Sequence, residues 1–188
     1  GFSRWCRQRR SNSSTVTTTT IEFYFDPVSP FAWLATEQID RIIEAGGRIS
    51  CQPILFAALL NAYGTKGPAE VPVKRAYVFR DVMRQAKRLN LTFRGPPSHP
   101  FNPLPALRAI HAVDDDAQQL ELTRHLCRAA WREGIDIADP DAVHAVLARS
   151  GFDADAVRTS SATPEIKLRL RNVTQKAITP VSSACPRS

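Results

Sequence analysis

The sequence predicts an α/β protein in which one small β-α-β unit carries a large helical block. Three observations predict it. Ile21–Phe25 is an apolar, β-favouring run that stops at Asp26-Pro27. Pro30–Ala45 then reads as a helix closed by Gly46-Gly47, and Arg48–Pro53 reads as a second strand. About a hundred residues after that strand show helical rather than alternating periodicity. A strand, a helix and a strand joined this way imply parallel pairing through a right-handed crossover.

The helical block divides at its caps and prolines. Ile54–Ala62 is a short helix. Pro72 opens a longer one reaching about Asn90, with Tyr77, Val78, Val82 and Leu89 among its apolar positions. Pro96-Pro97 and Pro100 mark a loop, and Asn102-Pro103 caps the helix that carries Leu107 and Ile110. Gln118–Glu133 repeats Leu122, Leu126 and Ala129/Ala130 at helical spacing. Asp139-Pro140, Asp153 and Thr163-Pro164 are N-terminal signals for three more helices, the last being Glu165–Ile178. This order suggests a thioredoxin-like domain, residues 21–56 and 160–188, interrupted by a helical insertion, residues 57–159. Residues 1–20 form a basic, disordered leader.

Composition narrows the function classes. At 188 residues the chain is long enough for a real core, and its 43% apolar and 23% charged residues are ordinary for a globular protein. The net charge of +7 sits at the two ends: residues 1–20 hold four arginines and no acid, while residues 21–156 carry 15 bases against 17 acids. A nucleic-acid surface calls for a basic face within the folded body, so none is expected. No apolar run approaches the ~18 residues of a membrane span. Cys6, Cys51, Cys127 and Cys185 are scattered without a C-x-x-C, which fits a reducing compartment and a cytoplasmic protein. The Arg/Ser/Thr-rich, acid-free leader also describes a mitochondrial transit peptide, the alternative localisation. His99, His111, His125 and His144 make no metal-ligand pattern with the cysteines, so no metal site is expected. Nucleotide-binding glycine signatures and the G-x-S-x-G elbow are absent.

The chemistry concentrates at the strand-to-helix turn. Ser29 occupies an N-cap position and Pro30 the first helical turn. Helix N-termini carry unpaired N–H groups and partial positive charge. A hydroxyl there either closes the helix or holds an anion, such as a thiolate, against its end.

Several stretches together resemble a known family. They are FYFDPVSPFAWLA at Phe23–Ala35, QPILFAALL at Gln52–Leu60, GTKGPAEVPVKRAYVFRD at Gly64–Asp81 and HPFNPLPALRA at His99–Ala109. In order and spacing they are similar to the 2-hydroxychromene-2-carboxylate isomerases, within the kappa-class glutathione transferase and DsbA-like group. The resemblance implies a glutathione-dependent isomerase of aromatic-compound catabolism, with a small aromatic substrate and glutathione as a recycled cofactor. It implies that the Ser29 hydroxyl meets the glutathione sulfur. Ser29 and Ala32 stand where DsbA-type proteins carry the two cysteines of C-P-x-C, so disulfide exchange through that motif is excluded.

The same resemblance places Lys74 and Asp81 on the polar positions of the helix that opens the insertion. Seven residues apart, they share one helix face. Lys74 is the expected partner of a glutathione or substrate carboxylate. Asp81 is the expected partner of an amino group, across a homodimer interface if one forms. Thr65 stands where kappa-class relatives often carry Asn. The solvated helix face is the plain alternative for both charges.

Past residue 178 the resemblance ends. The family continues with a cis-proline loop, two antiparallel strands and a last helix, whereas this chain runs Thr179-Pro-Val-Ser-Ser-Ala-Cys-Pro-Arg-Ser188. The expectation is a truncated or frame-shifted end, a sheet of two strands with an open apolar edge, and poor activity as a monomer. Two further readings follow: a kappa-type glutathione transferase, and a non-catalytic remnant or module completed by a partner chain.

Overall fold

The computed structural model describes residues 19–179. Of the leader expected over residues 1–20, residues 1–18 lie outside the described residues, and Thr20 belongs to the first strand rather than to a disordered segment; residues 180–188 of the C-terminal end, with Cys6 and Cys185, also lie outside the described residues.

Two parallel strands, β1 (Thr20–Phe25) and β2 (Arg48–Pro53), pair in register from Thr20 opposite Arg48 to Phe25 opposite Pro53. Among the described residues β1 has no strand on its other edge. The connection differs from the single helix expected over Pro30–Ala45. It is two short helices, α1 (Pro30–Thr36) and α2 (Asp40–Glu44). The ladder runs as far as Glu37 N–H, which donates to the Trp33 carbonyl at 3.2 Å; Gln38 N–H then shifts to the Ala35 carbonyl, and the Gln38 side-chain Nε2 donates to the Leu34 carbonyl at 3.1 Å. The break turns Ile39 into the core, where it is 3% exposed. Gly46 ends α2 with φ +88°, the left-handed conformation that favours glycine.

Helix α3 (Phe56–Ala62) starts two residues later than the sequence suggests, because Ile54 N–H still donates to the Phe25 carbonyl at 2.8 Å. A 3₁₀ turn (Pro68–Glu70) leads into α4 (Pro72–Arg88). Then come α5 (Leu104–His111), α6 (Asp116–Arg128), α7 (Pro140–Arg149), α8 (Ala154–Ser161) and α9 (Pro164–Ile178). Asp115, Asp139, Asp153 and Thr163 each accept a first-turn N–H as N-caps. The helix expected to run to Glu133 becomes a π-helical turn at Ala129–Glu133 and closes on left-handed Gly134.

Helix α6 packs on both α1 and β2, and α9 packs on α3, α5 and β2. Phe25, Trp33, Ile49 and Cys51 of the β-α-β unit share one buried cluster with Leu122, Leu126, Trp131 and Leu147 of the helical block. Glu37 pins the seam. It takes a bidentate pair from Arg128, 2.8 Å at each contact, and the Trp33 indole N–H at 3.1 Å. Burial pushes the Glu37 carboxyl up, but the Arg128 guanidinium more than offsets this and holds it below the usual carboxylate range.

Candidate active site at the β1–α1 turn

The turn after β1 is held from every side. Ser29 N–H donates to the Asp26 carbonyl at 2.9 Å, which closes the turn. The Asp26 carboxylate accepts Val28 N–H at 3.0 Å and, thirty residues away, Phe56 N–H at 2.9 Å. Asp26 therefore satisfies the first turn of α3 as well as its own loop. It is 4% exposed, and burial pushes its pKa up to about 6 against the pull of the two N–H donors. From the helical block, the Trp131 indole N–H donates to the Pro27 carbonyl and His99 Nε2 meets the Val28 carbonyl, both at 2.9 Å.

Ser29 is the N-cap of α1 with extended backbone (φ −88°, ψ 121°), yet its side chain makes no capping hydrogen bond. Ser29 lines an open cleft of about 640 Å³ that runs beside β1 and is walled by apolar side chains, including Phe23, Phe31, Ile54, Phe56 and Leu59. That volume is ordinary for small-molecule sites, which span ~300–1,000 Å³. Its charged residues at the far end, Glu22 and Lys176, pair with each other at 2.6 Å.

The other sequence-derived positions do not line this cleft. Lys74 is exposed on the first turn of α4. Asp81, half-buried further along α4, accepts Gln85 Nε2 at 2.7 Å and lies 3.9 Å from Arg84. Thr65 is exposed in the turn after α3, with its hydroxyl 3.5 Å from the Leu60 carbonyl. The sequence does not single out Asp26, His99 or Trp131 as site residues. A carboxylate that ends a strand reads as a turn residue, and the partners that bury it come from far along the chain.

Neither described cysteine is reactive in kind. Burial pushes Cys51 up to about 11, and Cys127, fully buried, higher still.

Residues 20–179 match the DSBA-like thioredoxin domain. The chain belongs to that family. It is 31% identical over 143 residues to "2-hydroxychromene-2-carboxylate isomerase" of Sphingobium xenophagum, covering 74% of this chain and 72% of the relative. It is 25% identical over 169 residues to human "Glutathione S-transferase kappa 1", covering 84% and 75%. Among solved structures, a 2-hydroxychromene-2-carboxylate isomerase superposes with a TM-score of 0.76 at 25% identity, over 85% of this chain and 79% of that one. The family assignment agrees with the α/β thioredoxin-like fold read from the sequence. No described helix is long and apolar enough to cross a membrane.

Proposed function

We propose that this chain is a glutathione-dependent isomerase that interconverts 2-hydroxychromene-2-carboxylate and trans-o-hydroxybenzylidenepyruvate. The observation that carries the reading is at Ser29: it heads α1, its hydroxyl caps nothing, and the residue lines a largely apolar cleft of small-molecule size. The family relatives named for that isomerase and for glutathione transfer support it.

Glutathione would supply a thiol whose ionised form adds reversibly to a conjugated chain and so frees a double bond to rotate. A free thiol has pKa ~8.5 and is little ionised at neutral pH. Ser29 donates its O–H to the sulfur and favours the anion, as a preorganised donor does wherever charge develops. With seven residues α1 adds a modest field, so the direct hydrogen bond is the main effect. Phe31 and Phe56 on the wall of the cleft offer the aromatic ring apolar contact.

The charged pair at the far end of the cleft is self-satisfied, so the cleft suits the sulfur and the aromatic substrate better than the charged ends of the tripeptide. Lys74, exposed on α4, is proposed for a carboxylate of glutathione or substrate. Asp81 is proposed for its amino group across a homodimer, where it would have to exchange its bond to Gln85. Thr65 is proposed as a minor polar contact.

The second reading is a kappa-type transferase, favoured by the greater share of the chain that the human kappa relative covers. Product analysis separates the readings. The isomerase returns glutathione unchanged and needs it only in catalytic amounts, whereas a transferase consumes it stoichiometrically. Ser29→Ala is expected to cut turnover by about a hundredfold, the usual cost of one lost oxyanion donor. Absence of both products from the folded chain would favour the non-catalytic reading.

A further inference from the structure

The serine Cα is fixed from two sides: the first turn of α1 donates to the Ser29 carbonyl, and the peptide unit joining Val28 to Ser29 holds it from the other. Its N–H is held by the Asp26 carbonyl within the turn, and its C=O is held by His99, 71 residues away on the loop between α4 and α5. A carbonyl can only accept, so the His99 nitrogen facing it, Nε2, carries the hydrogen. The other ring nitrogen, Nδ1, is buried and has no hydrogen-bond partner. The ring is boxed edge-on by Phe79 at 5.3 Å and Trp131 at 5.4 Å, with Phe101 at 6.4 Å. Burial pushes the imidazole below its ordinary pKa, the Val28 carbonyl pulls partly the other way, and the positive charge of Arg75 on α4 also disfavours a second proton. The ring is thus held neutral and in one tautomer. It offers its single N–H to the backbone of the turn.

We infer that His99, as the neutral Nε2–H tautomer, is the positioning residue for the Ser29 hydroxyl: it locks the Val28–Ser29 peptide plane and thereby aims the hydroxyl into the cleft. The inference rests on the reading of Ser29 as the thiol-facing group. Without the imidazole donor, the Val28 carbonyl loses its partner at 2.9 Å, and the peptide unit, held only by its N–H bond to the Asp26 carbonyl, can tilt about its flanking bonds. The serine would then remain, but its hydroxyl would no longer be preorganised. The helical block contributes to the site through this bond, not only through the core it shares with the β-α-β unit.

Two measurements test this. In the unliganded wild-type chain, imidazole nitrogen chemical shifts are expected to show His99 as the Nε2–H tautomer. An Nδ1–H ring, or a freely exchanging mixture, overturns the inference whatever ligand binds. The second is an ultraviolet thiolate titration of bound reduced glutathione in wild type, His99→Phe and His99→Gln. Phenylalanine keeps the ring shape without the donor, and glutamine restores an N–H donor. The bound thiol pKa is expected to rise by about one unit in His99→Phe, a tenfold loss of thiolate preference, and to return towards wild type in His99→Gln. A His99→Phe chain that keeps the wild-type thiol pKa overturns the inference and leaves the Ser29 reading standing. If the wild type itself fails to depress the thiol pKa, or binds no glutathione, the Ser29 reading fails and takes this one with it. If His99→Phe loses its cooperative melt, the tautomer and the His99→Gln titration decide.

Discussion

Replacing Asp26 with asparagine should change how stability depends on pH. The carboxyl has an ordinary value of 3.8 and titrates at about 6 in the folded chain, because burial disfavours its charge. A folded-state pKa above the unfolded one means that the native chain binds this proton more tightly. The stabilisation is fully present below about pH 4 and is lost as pH rises through about 6. At ~1.4 kcal/mol per unit, a separation of about two units makes the total about 3 kcal/mol. Roughly half of that, about 1.4 kcal/mol, falls between about pH 5 and about pH 7.5. An asparagine at this position does not titrate. It can offer only one oxygen to the two N–H groups that Asp26 satisfies, a penalty of about 1–3 kcal/mol at every pH. Urea unfolding of both chains at the two pH values isolates the linkage. The stability of Asp26→Asn relative to wild type should improve by about 1.4 kcal/mol from the lower pH to the higher. A relative stability that does not change with pH would refute the reasoning.

Further outcomes follow from the same contacts. Glu37→Ala should cost about 2–3 kcal/mol in urea unfolding, because it leaves the Arg128 guanidinium and the Trp33 N–H without their acceptor at the seam. Trp131→Phe leaves a smaller buried ring and strips the Pro27 carbonyl of its donor, and should cost at least about 1–2 kcal/mol by the same assay. Cys51 and Cys127 should resist alkylation in the native chain and react once it is unfolded in urea. Peptide mapping of the labelled sites checks this.

The sequence made local features legible and left long-range ones hidden. β2 is legible to the residue, and β1 to within one residue, because short β-favouring runs bounded by Gly-Gly and Asp-Pro leave little freedom. The caps at Asp139, Asp153 and Thr163 are legible because an N-cap is a property of neighbouring residues. The break after Thr36 is not, since helical periodicity continues through it and the burial of Ile39 that accompanies the bend is set by distant packing. At the site, the position of Ser29 on a strand-to-helix turn is visible in the sequence. The clamp of Asp26, His99 and Trp131 around it is not, because its bonds join residues 30 to 104 positions apart. Lys74, Asp81 and Thr65 rest on the family resemblance, and the cleft that Ser29 lines does not include them.

The central claim is that the Ser29 hydroxyl faces a glutathione thiol and favours its ionised form. Thiolate titration of reduced glutathione bound to wild type and to Ser29→Ala tests it most directly. The account predicts a bound thiol pKa below the free value of ~8.5 in wild type and a return towards that value in Ser29→Ala, with the fold intact by thermal melt. Equal thiol pKa values in the two chains, or no binding to wild type, would contradict it.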